Sequence, residues 1–154
     1  MAMYPSVKVG GGTDETVSII PIIKDSFYNS AYFGNWTNSS TQKVYQDTDG
    51  LWKARRTTGQ WTTGGYLSGV NFTPYKKLKG RIRALSFSNQ PMIVFELYGN
   101  EKIIRIDATI LNQEFEFSTD ISAITGTRNL SVEISPGVNT SYIEFAILEL
   151  YFEL

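Results

Sequence analysis

Segments in which apolar and polar residues alternate occupy much of the second half of the chain. Such a period of two places apolar side chains on one face of a β-strand and polar ones on the other, so it predicts half-buried strands. Residues 92–98 and 102–108 follow it, and Gly99-Asn100 between them predicts a hairpin turn. The apolar sets of the two segments are Ile93, Phe95 and Leu97, and Ile104, Ile106 and Ala108.

Two further segments and the carboxy-terminal one extend this pattern. In residues 114–117 Phe115 and Phe117 alternate with glutamates, and in residues 129–134 three apolar residues alternate with Ser131 and Glu133. The apolar parity of residues 143–152 changes after Ile147, which predicts a β-bulge at Ile147 and Leu148. In residues 79–87 the apolar positions change in the same way, from Ile82 and Ala84 to Leu85 and Phe87. The predicted core is Ile93, Phe95, Leu97, Ile104, Ile106, Leu130, Val132, Ile134, Phe145 and Leu150.

Short strands separated by turn residues favour an all-β fold, an antiparallel β-sandwich, over a parallel α/β fold. The chain has 154 residues, enough for one domain with an apolar core, and it has no cysteine with which to cross-link a smaller one. Three successive glycines, Gly10 to Gly12, predict a hinge. We therefore predict a flexible arm over residues 1–21 and a sandwich domain over residues 22–154.

The composition excludes several kinds of chemistry. With no histidine and no cysteine, the chain can form no Ser-His-Asp or Cys-His site and lacks the usual zinc ligands. The glycine run precedes Thr13-Asp14-Glu15 and is no phosphate-binding loop. A net charge of −1 argues against nucleic acid as a partner, and the apolar stretches are too short or too charged for membrane insertion. The alternating glutamates fit a solvated strand face better than a paired-carboxylate glycosidase.

All three tryptophans lie between residues 28 and 75, among tyrosines, amides and hydroxyls. Aromatic rings can stack on sugar rings while neighbouring polar groups bind sugar hydroxyls. Trp52 stands on a predicted strand and is assigned to the core, whereas the other two tryptophans lie in turn-rich stretches. The predicted ligand-binding residues are Trp36, Trp61, Tyr32, Tyr66 and Asn35.

Two charged segments have alternative interpretations. Asp47-Thr48-Asp49-Gly50 is read as a turn, with Asp47 and Asp49 as candidate ligands of a structural calcium ion; otherwise no cofactor is expected. The basic residues from Lys76 to Arg83 are either a solvated, edge-protecting face or a patch that pairs with acidic residues of another subunit.

The order of several motifs resembles jelly-roll modules in tail and minor structural proteins of phages and prophages. The resemblance covers residues 22–154 and implies a jelly-roll β-sandwich similar to carbohydrate-binding modules. The matching stretches are Phe27-Tyr28-Asn29, Gly34-Asn35-Trp36, Tyr75-Lys76-Lys77-Leu78, Phe117 with Asp120-Ile121-Ser122, and the strand at 143–152.

The resemblance implies a non-catalytic virion protein that assembles with itself or with other virion proteins and aids adsorption to cell-surface polysaccharide. Its location would then be the virion, assembled in the host cytoplasm. A stand-alone, extracellular carbohydrate-binding module of cellular origin is the alternative, and a small glycosidase-like enzyme is the third hypothesis.

The arm generates the first testable prediction. Val7 and Val9 precede the glycine hinge, and an extended apolar segment can add a strand to a neighbour's sheet edge. Deleting residues 1–12 is therefore expected to weaken oligomers without unfolding the domain. Light scattering measures the mass and circular dichroism checks the fold; an unchanged mass would contradict the prediction.

Overall fold

The computed structural model describes residues 18–39, 42–57, 65–86, 92–97, 101–135 and 143–154. Within these ranges most residues lie in strands and the one α-helix has only four residues, which confirms the predicted all-β class. No helix in these ranges has the length and hydropathy to cross a membrane. The elements are β1 (Ile19–Lys24), β2 (Phe27–Tyr28), α1 (Ser30–Phe33), β3 (Gln42–Gln46), β4 (Trp52–Arg56), β5 (Gly65–Asn71), β6 (Lys77–Ser86), β7 (Met92–Leu97), β8 (Glu101–Asp107), β9 (Glu114–Asp120), β10 (Thr127–Ser135) and β11 (Ile143–Glu153).

The strands form two antiparallel sheets that share one hydrophobic core, as predicted for a jelly-roll sandwich. In the seven-stranded sheet β11 pairs with β6 along one edge and with β1 and β4 along the other. Strands β2, β3 and β9 extend this sheet next to β1, β4 and β6 respectively. The four-stranded sheet has the order β5-β10-β7-β8.

The local predictions for these strands are confirmed where the structure describes them. Strands β7 and β8 pair as a hairpin, with Met92 opposite Asp107; the turn residues 98–100 lie outside the described ranges. The register between β11 and β6 shifts between Ile147 and Glu149, so Leu148 is the extra residue of a bulge. A second shift in the same pair leaves Leu85 of β6 unpaired, which explains the parity change predicted there.

Apolar side chains from both sheets fill the interior. Every predicted core residue is buried except Ile104, which is half-buried and packs against the core. At one end of the core the ring of Tyr75 stacks on Phe152, with centroids 4.0 Å apart and an interplanar angle of 4°.

The domain boundary predicted between residues 21 and 22 is wrong, because Ile19 to Pro21 already pair with β11 and so belong to the sandwich.

Two buried polar side chains connect the sheets at another part of the core. Arg56 of β4 is only 2% exposed, and its Nη1 donates a hydrogen bond of 3.0 Å to the carbonyl of Ile134 in β10. Gln42 of β3, which lies opposite Arg56, accepts a hydrogen bond of 3.3 Å from the Ile134 amide. Burial lowers the pKa of Arg56, and the charge of Glu133 opposes that shift. The two side chains thereby fix the position of β10 relative to β3 and β4.

Glu96 is a buried carboxyl group on the four-stranded sheet, on the side away from the core. It is 3% exposed and lies opposite Ser131 of β10, which is also buried. Burial, together with the charge of Glu133 and a hydrogen bond with it, raises the pKa of Glu96 to about 7, and the charge of Lys102 acts in the opposite direction. The pKa of Glu96 in the folded state is thus higher than the ordinary value of 4.5. Protonated Glu96 stabilises the fold fully when the pH is below 4.5, and this contribution is lost as the pH rises through about 7.

Replacing Glu96 by glutamine should therefore stabilise the protein selectively at high pH. Glutamine stays neutral, so the melting temperature of Glu96→Gln is expected to exceed that of the wild type at about pH 9 and to match it more closely at about pH 5. Thermal melts across this range measure the difference. Glu116→Gln, at an exposed position on the other sheet, is the control. A difference that does not vary with pH would contradict the burial of an ionisable Glu96.

Candidate functional site

The outer face of the seven-stranded sheet carries a concavity of about 470 Å³. We call it the charged groove. Its floor includes Gly80 and Phe117, and a smaller apolar hollow of about 160 Å³, which Ile19 and Pro21 of β1 help to line, adjoins it. The residues that define the charged groove are Lys79, Arg81, Glu116, Ser118, Glu149 and Tyr151.

Strand register assembles the charged groove from three strands. Across β11, β6 and β9, Tyr151 pairs with Lys79 and Lys79 with Ser118. Arg81, two residues after Lys79 in β6, pairs with Glu149 of β11 on one side and with Glu116 of β9 on the other. Because alternate residues of a strand share a face, all six side chains reach one surface.

Gly80 allows the sheet to close tightly beneath this surface. A Cβ atom at this position would lie 2.6 Å from the ring of Phe117 and 2.8 Å from the carbonyl oxygen of Glu149, so no larger residue fits without a shift of its neighbours. Phe117 in turn packs against Phe95 of the opposite sheet, with ring centroids 5.1 Å apart. The floor of the charged groove is therefore tied directly to the core.

Ion pairs orient the charged side chains of this face. Arg81 binds Glu114 at 3.0 Å and Glu149 at 3.5 Å, while Lys79 and Lys77 both bind Glu153. Burial by itself would raise the pKa of Glu153, but the hydrogen bonds from the two lysines lower it. These contacts favour the ionised form of Glu153, whereas a glycosidase needs one carboxyl group that stays protonated to act as the acid. The arrangement suits binding better than hydrolysis.

Tyr151 supplies an aromatic surface among these charges. Its side chain is half-buried on the outer face, and burial raises the pKa of its hydroxyl group. The phenol is therefore neutral at physiological pH, with an apolar ring and a hydroxyl that both donates and accepts hydrogen bonds. An aromatic ring beside fixed polar groups can hold a ring-shaped ligand that carries hydroxyl groups.

The cations and glutamates of the charged groove have no signature in the sequence that distinguishes them from an ordinary solvated strand face. Alternation predicts a solvated face for Glu116, and the basic run that contains Lys79 and Arg81 predicts a solvated, edge-protecting face or a subunit-pairing patch. The signal that could have identified the charged groove is Tyr151. This aromatic residue lies on the polar side of β11, between Glu149 and Glu153, and opposite the alternating cationic residues of β6.

The structure places the predicted ligand-binding residues apart. Trp36 is only 9% exposed and belongs to the core, although it stands in a turn-rich stretch, so its ring offers little surface on which a sugar could stack. The reason is a bridge between Thr37 and Tyr66, whose reciprocal backbone hydrogen bonds of 2.9 Å draw this loop onto β5. Trp61 lies outside the described residues. Trp52 packs partly buried against the core, as predicted.

The remaining predicted residues do not share one cavity. Tyr66 is half-buried on β5 and Asn35 is exposed in the loop after α1. Tyr32, on α1, is 47% exposed and lines a separate pocket of about 160 Å³ with Tyr75 of the core end and with residues of β5. Neither Tyr66 nor Asn35 lines that pocket. Their assignment as ligand-binding residues stays a prediction.

The candidate calcium ligands Asp47 and Asp49 form ion pairs with a lysine side chain of the same chain. The Nζ atom of Lys53 lies 2.8 Å from a carboxylate oxygen of Asp47 and 2.9 Å from one of Asp49. Hydrogen bonds from Lys53 lower the pKa of both aspartates, and the same bonds raise the pKa of Lys53. In the part of the chain that the structure describes, no three acidic side chains converge as a metal site would require. The calcium assignment stays a prediction.

Neither a protein-family profile nor a curated protein sequence matches the chain. Among solved structures, a variant of a family 29 carbohydrate-binding module complexed with cellulohexaose has a TM-score of 0.58 and 11% identity, over 89% of this chain and 91% of the other. Another family 29 carbohydrate-binding module has a TM-score of 0.56 and 12% identity, over 89% and 88% of the two chains. At these identities the similarity shows the fold alone, so the chain has a carbohydrate-binding-module-like β-sandwich.

The ion pairs of Lys53 with Asp47 and Asp49 can be tested by substitution. Lys53→Met removes the cation between Asp47 and Asp49, so the melting temperature is expected to fall at neutral pH. The pKa values of both aspartates are lowered in the fold, so their ion pairs with Lys53 stabilise the folded state when the pH is above the ordinary pKa of the aspartates. This stabilisation is lost as the pH falls from that value through the lowered pKa. Thermal melts against pH test this, and Lys43→Met, at an exposed position on β3, is the control.

The same melts with calcium or with a chelator test the metal hypothesis. We expect calcium to leave the wild type unchanged, because the ammonium group of Lys53 already occupies the space between both carboxylates, and to recover part of the stability lost in Lys53→Met. A calcium-dependent rise in the melting temperature of the wild type would instead support a structural calcium ion at Asp47 and Asp49.

Proposed function

We propose that this chain is a non-catalytic module that binds a polysaccharide in the charged groove. The observation that carries the proposal is Tyr151, a half-buried aromatic ring among oriented hydrogen-bonding side chains on the open face of a sheet. The fold supports it as well, because the similar solved structures include a carbohydrate-binding module complexed with cellulohexaose. Fold similarity alone would not identify a ligand, so the groove chemistry is the stronger argument.

In this proposal one sugar ring stacks on Tyr151 and its neighbours extend along the groove. Lys79 and Arg81 donate hydrogen bonds to sugar hydroxyls, Glu149 and Glu116 accept them, and Ser118 does either. The adjoining hollow beside Ile19 and Pro21 accommodates the apolar face of a further ring. Because ion pairs already hold Lys79 and Arg81 in place, little side-chain entropy is lost on binding.

The biological setting is a second part of the proposal. The resemblance to phage tail modules suggests a virion protein that aids adsorption to cell-surface glycans, whereas a cellular, extracellular carbohydrate-binding module fits the same fold equally well. Virion subunits assemble in many copies, so co-purification with particles or a symmetric oligomer in solution would favour the first setting. A monomer that binds glycan would favour the second.

Tyr151 provides the direct test. Tyr151→Ala removes the stacking surface and is expected to weaken polysaccharide binding by about tenfold or more, while Tyr151→Phe keeps the ring and is expected to retain most of the affinity. Affinity electrophoresis in gels that contain soluble polysaccharides compares the three proteins. Thermal melts check the fold, which a half-buried surface residue should affect little.

Two results would count against the proposal. If Tyr151→Ala binds the preferred polysaccharide as the wild type does, the charged groove is not the site. If the wild type binds none of a broad set of neutral and acidic polysaccharides, the proposed function itself is wrong.

A further inference from the structure

A second concavity lies at the edge of the four-stranded sheet, beside α1, and has no residue in common with the charged groove. We call it the Tyr32 pocket. Its volume is about 160 Å³, roughly that of five water molecules in the liquid, which is room for one small ring and too little for a chain. It is lined by Tyr32, Phe33, Ser68, Gly69, Val70, Asn71 and Tyr75.

The aromatic wall of this pocket is exposed and yet held in place. Tyr32 is 47% exposed, and its hydroxyl group lies 3.2 Å from that of Tyr75. Tyr75 is 3% exposed and stacks on Phe152 of β11, so the hydroxyl that contacts Tyr32 belongs to a fixed ring. A large exposed aromatic ring anchored to the core offers a stacking surface at little cost in conformational entropy.

The short helix that carries Tyr32 is itself anchored. Phe33 is buried, its amide donates to the Asn29 carbonyl at 3.0 Å, and the side-chain amide of Asn29 donates to the Pro21 carbonyl at 3.1 Å. The ring of Phe33 lies 4.8 Å from that of Tyr32 in an edge-on arrangement. Tyr32 thus projects from a segment that is tied to β1.

The opposite rim of the pocket is polar and open. Ser68, Gly69 and Asn71 of β5 are exposed, and Gly69 has a positive φ of 71° with no atom within 4 Å of the place where a Cβ would lie. The amide of Gly69 donates to the side chain of Asn129, which fixes this turn of backbone. A ligand that stacks on Tyr32 would therefore meet a hydroxyl group and a side-chain amide on its other edge.

None of the residues that line the Tyr32 pocket carries a formal charge, in contrast to the charged groove. An aromatic wall, a small apolar floor and uncharged donors and acceptors match a neutral ring that carries hydroxyl groups. We infer that the Tyr32 pocket is a second sugar site, which takes one uncharged sugar ring at a chain end or on a side branch. This inference rests on the proposed function in that the ligand is a carbohydrate.

Two separate sites on one domain would have a measurable consequence. A branched glycan that engages both, or a surface that presents many chains, would be bound more tightly than either site alone would bind it. Single-ring ligands would occupy the Tyr32 pocket without needing the charged groove.

Ligand-observed NMR on the full chain tests the inference, with methyl glycosides of the common neutral hexoses and pentoses as probes. Saturation transfer to at least one glycoside is expected in the wild type and in Tyr151→Ala. It is expected to fall by about tenfold in Tyr32→Ala, because the stacking surface is lost. Ser68→Arg fills the pocket from an exposed rim position and is expected to have the same effect without altering the core.

The outcomes separate the two proposals. If Tyr32→Ala and Ser68→Arg transfer saturation as the wild type does, or if no glycoside receives any, the second site is overturned, whatever polysaccharide gels show for Tyr151→Ala. If glycoside binding needs Tyr32 but polysaccharide binding is unaffected in Tyr151→Ala, the second site stands and the charged groove fails. Loss of glycoside binding in Tyr151→Ala but not in Tyr32→Ala would place the single ring in the charged groove instead and overturn the inference.

Discussion

Strand β11 is hydrogen-bonded along both edges, to β6 on one side and to β1 and β4 on the other. Its inward side chains are fully buried at Phe145, Leu150 and Phe152, and Phe152 supports the aromatic end of the core. Its outward side chains supply Glu149 and Tyr151 to the charged groove. The core, the large sheet and the proposed binding face therefore all depend on the pairing of one eleven-residue strand.

The interior combines this apolar packing with a small number of buried polar contacts. A chain without cysteine gains no stability from disulfides, so the two sheets are joined by side-chain packing and by hydrogen bonds such as those of Arg56 and Gln42 to Ile134. Glu96 and Ser131 are buried on the side of the smaller sheet that faces away from this core. A buried carboxyl group beside a second one, as Glu96 is beside Glu133, destabilises a protein when it ionises, so the outer side of this sheet is sensitive to pH.

The strands and the core could be read from the sequence because alternation is a local property. The hairpin of β7 and β8, the burial of Leu130 and Val132, and even the bulge at Leu148 follow from the positions of apolar residues. Trp36 could not be placed in this way, because its burial depends on a bridge between Thr37 and Tyr66, which are distant in sequence. The charged groove was missed for a related reason: its residues come from β6, β9 and β11, and only strand order brings them together.

The bulge at Leu148 has a consequence for how the charged groove can change between related sequences. It inverts the alternation of β11, so that beyond it Leu150 and Phe152 face inward and Glu149 and Tyr151 face outward. If the same residues paired with β6 without the bulge, the two sets would be exchanged, which would bury charges and expose the core. The extra residue at Leu148 therefore keeps Glu149 and Tyr151 on the outer face. Substitutions at these outward positions can change the chemistry of the face without changing this register.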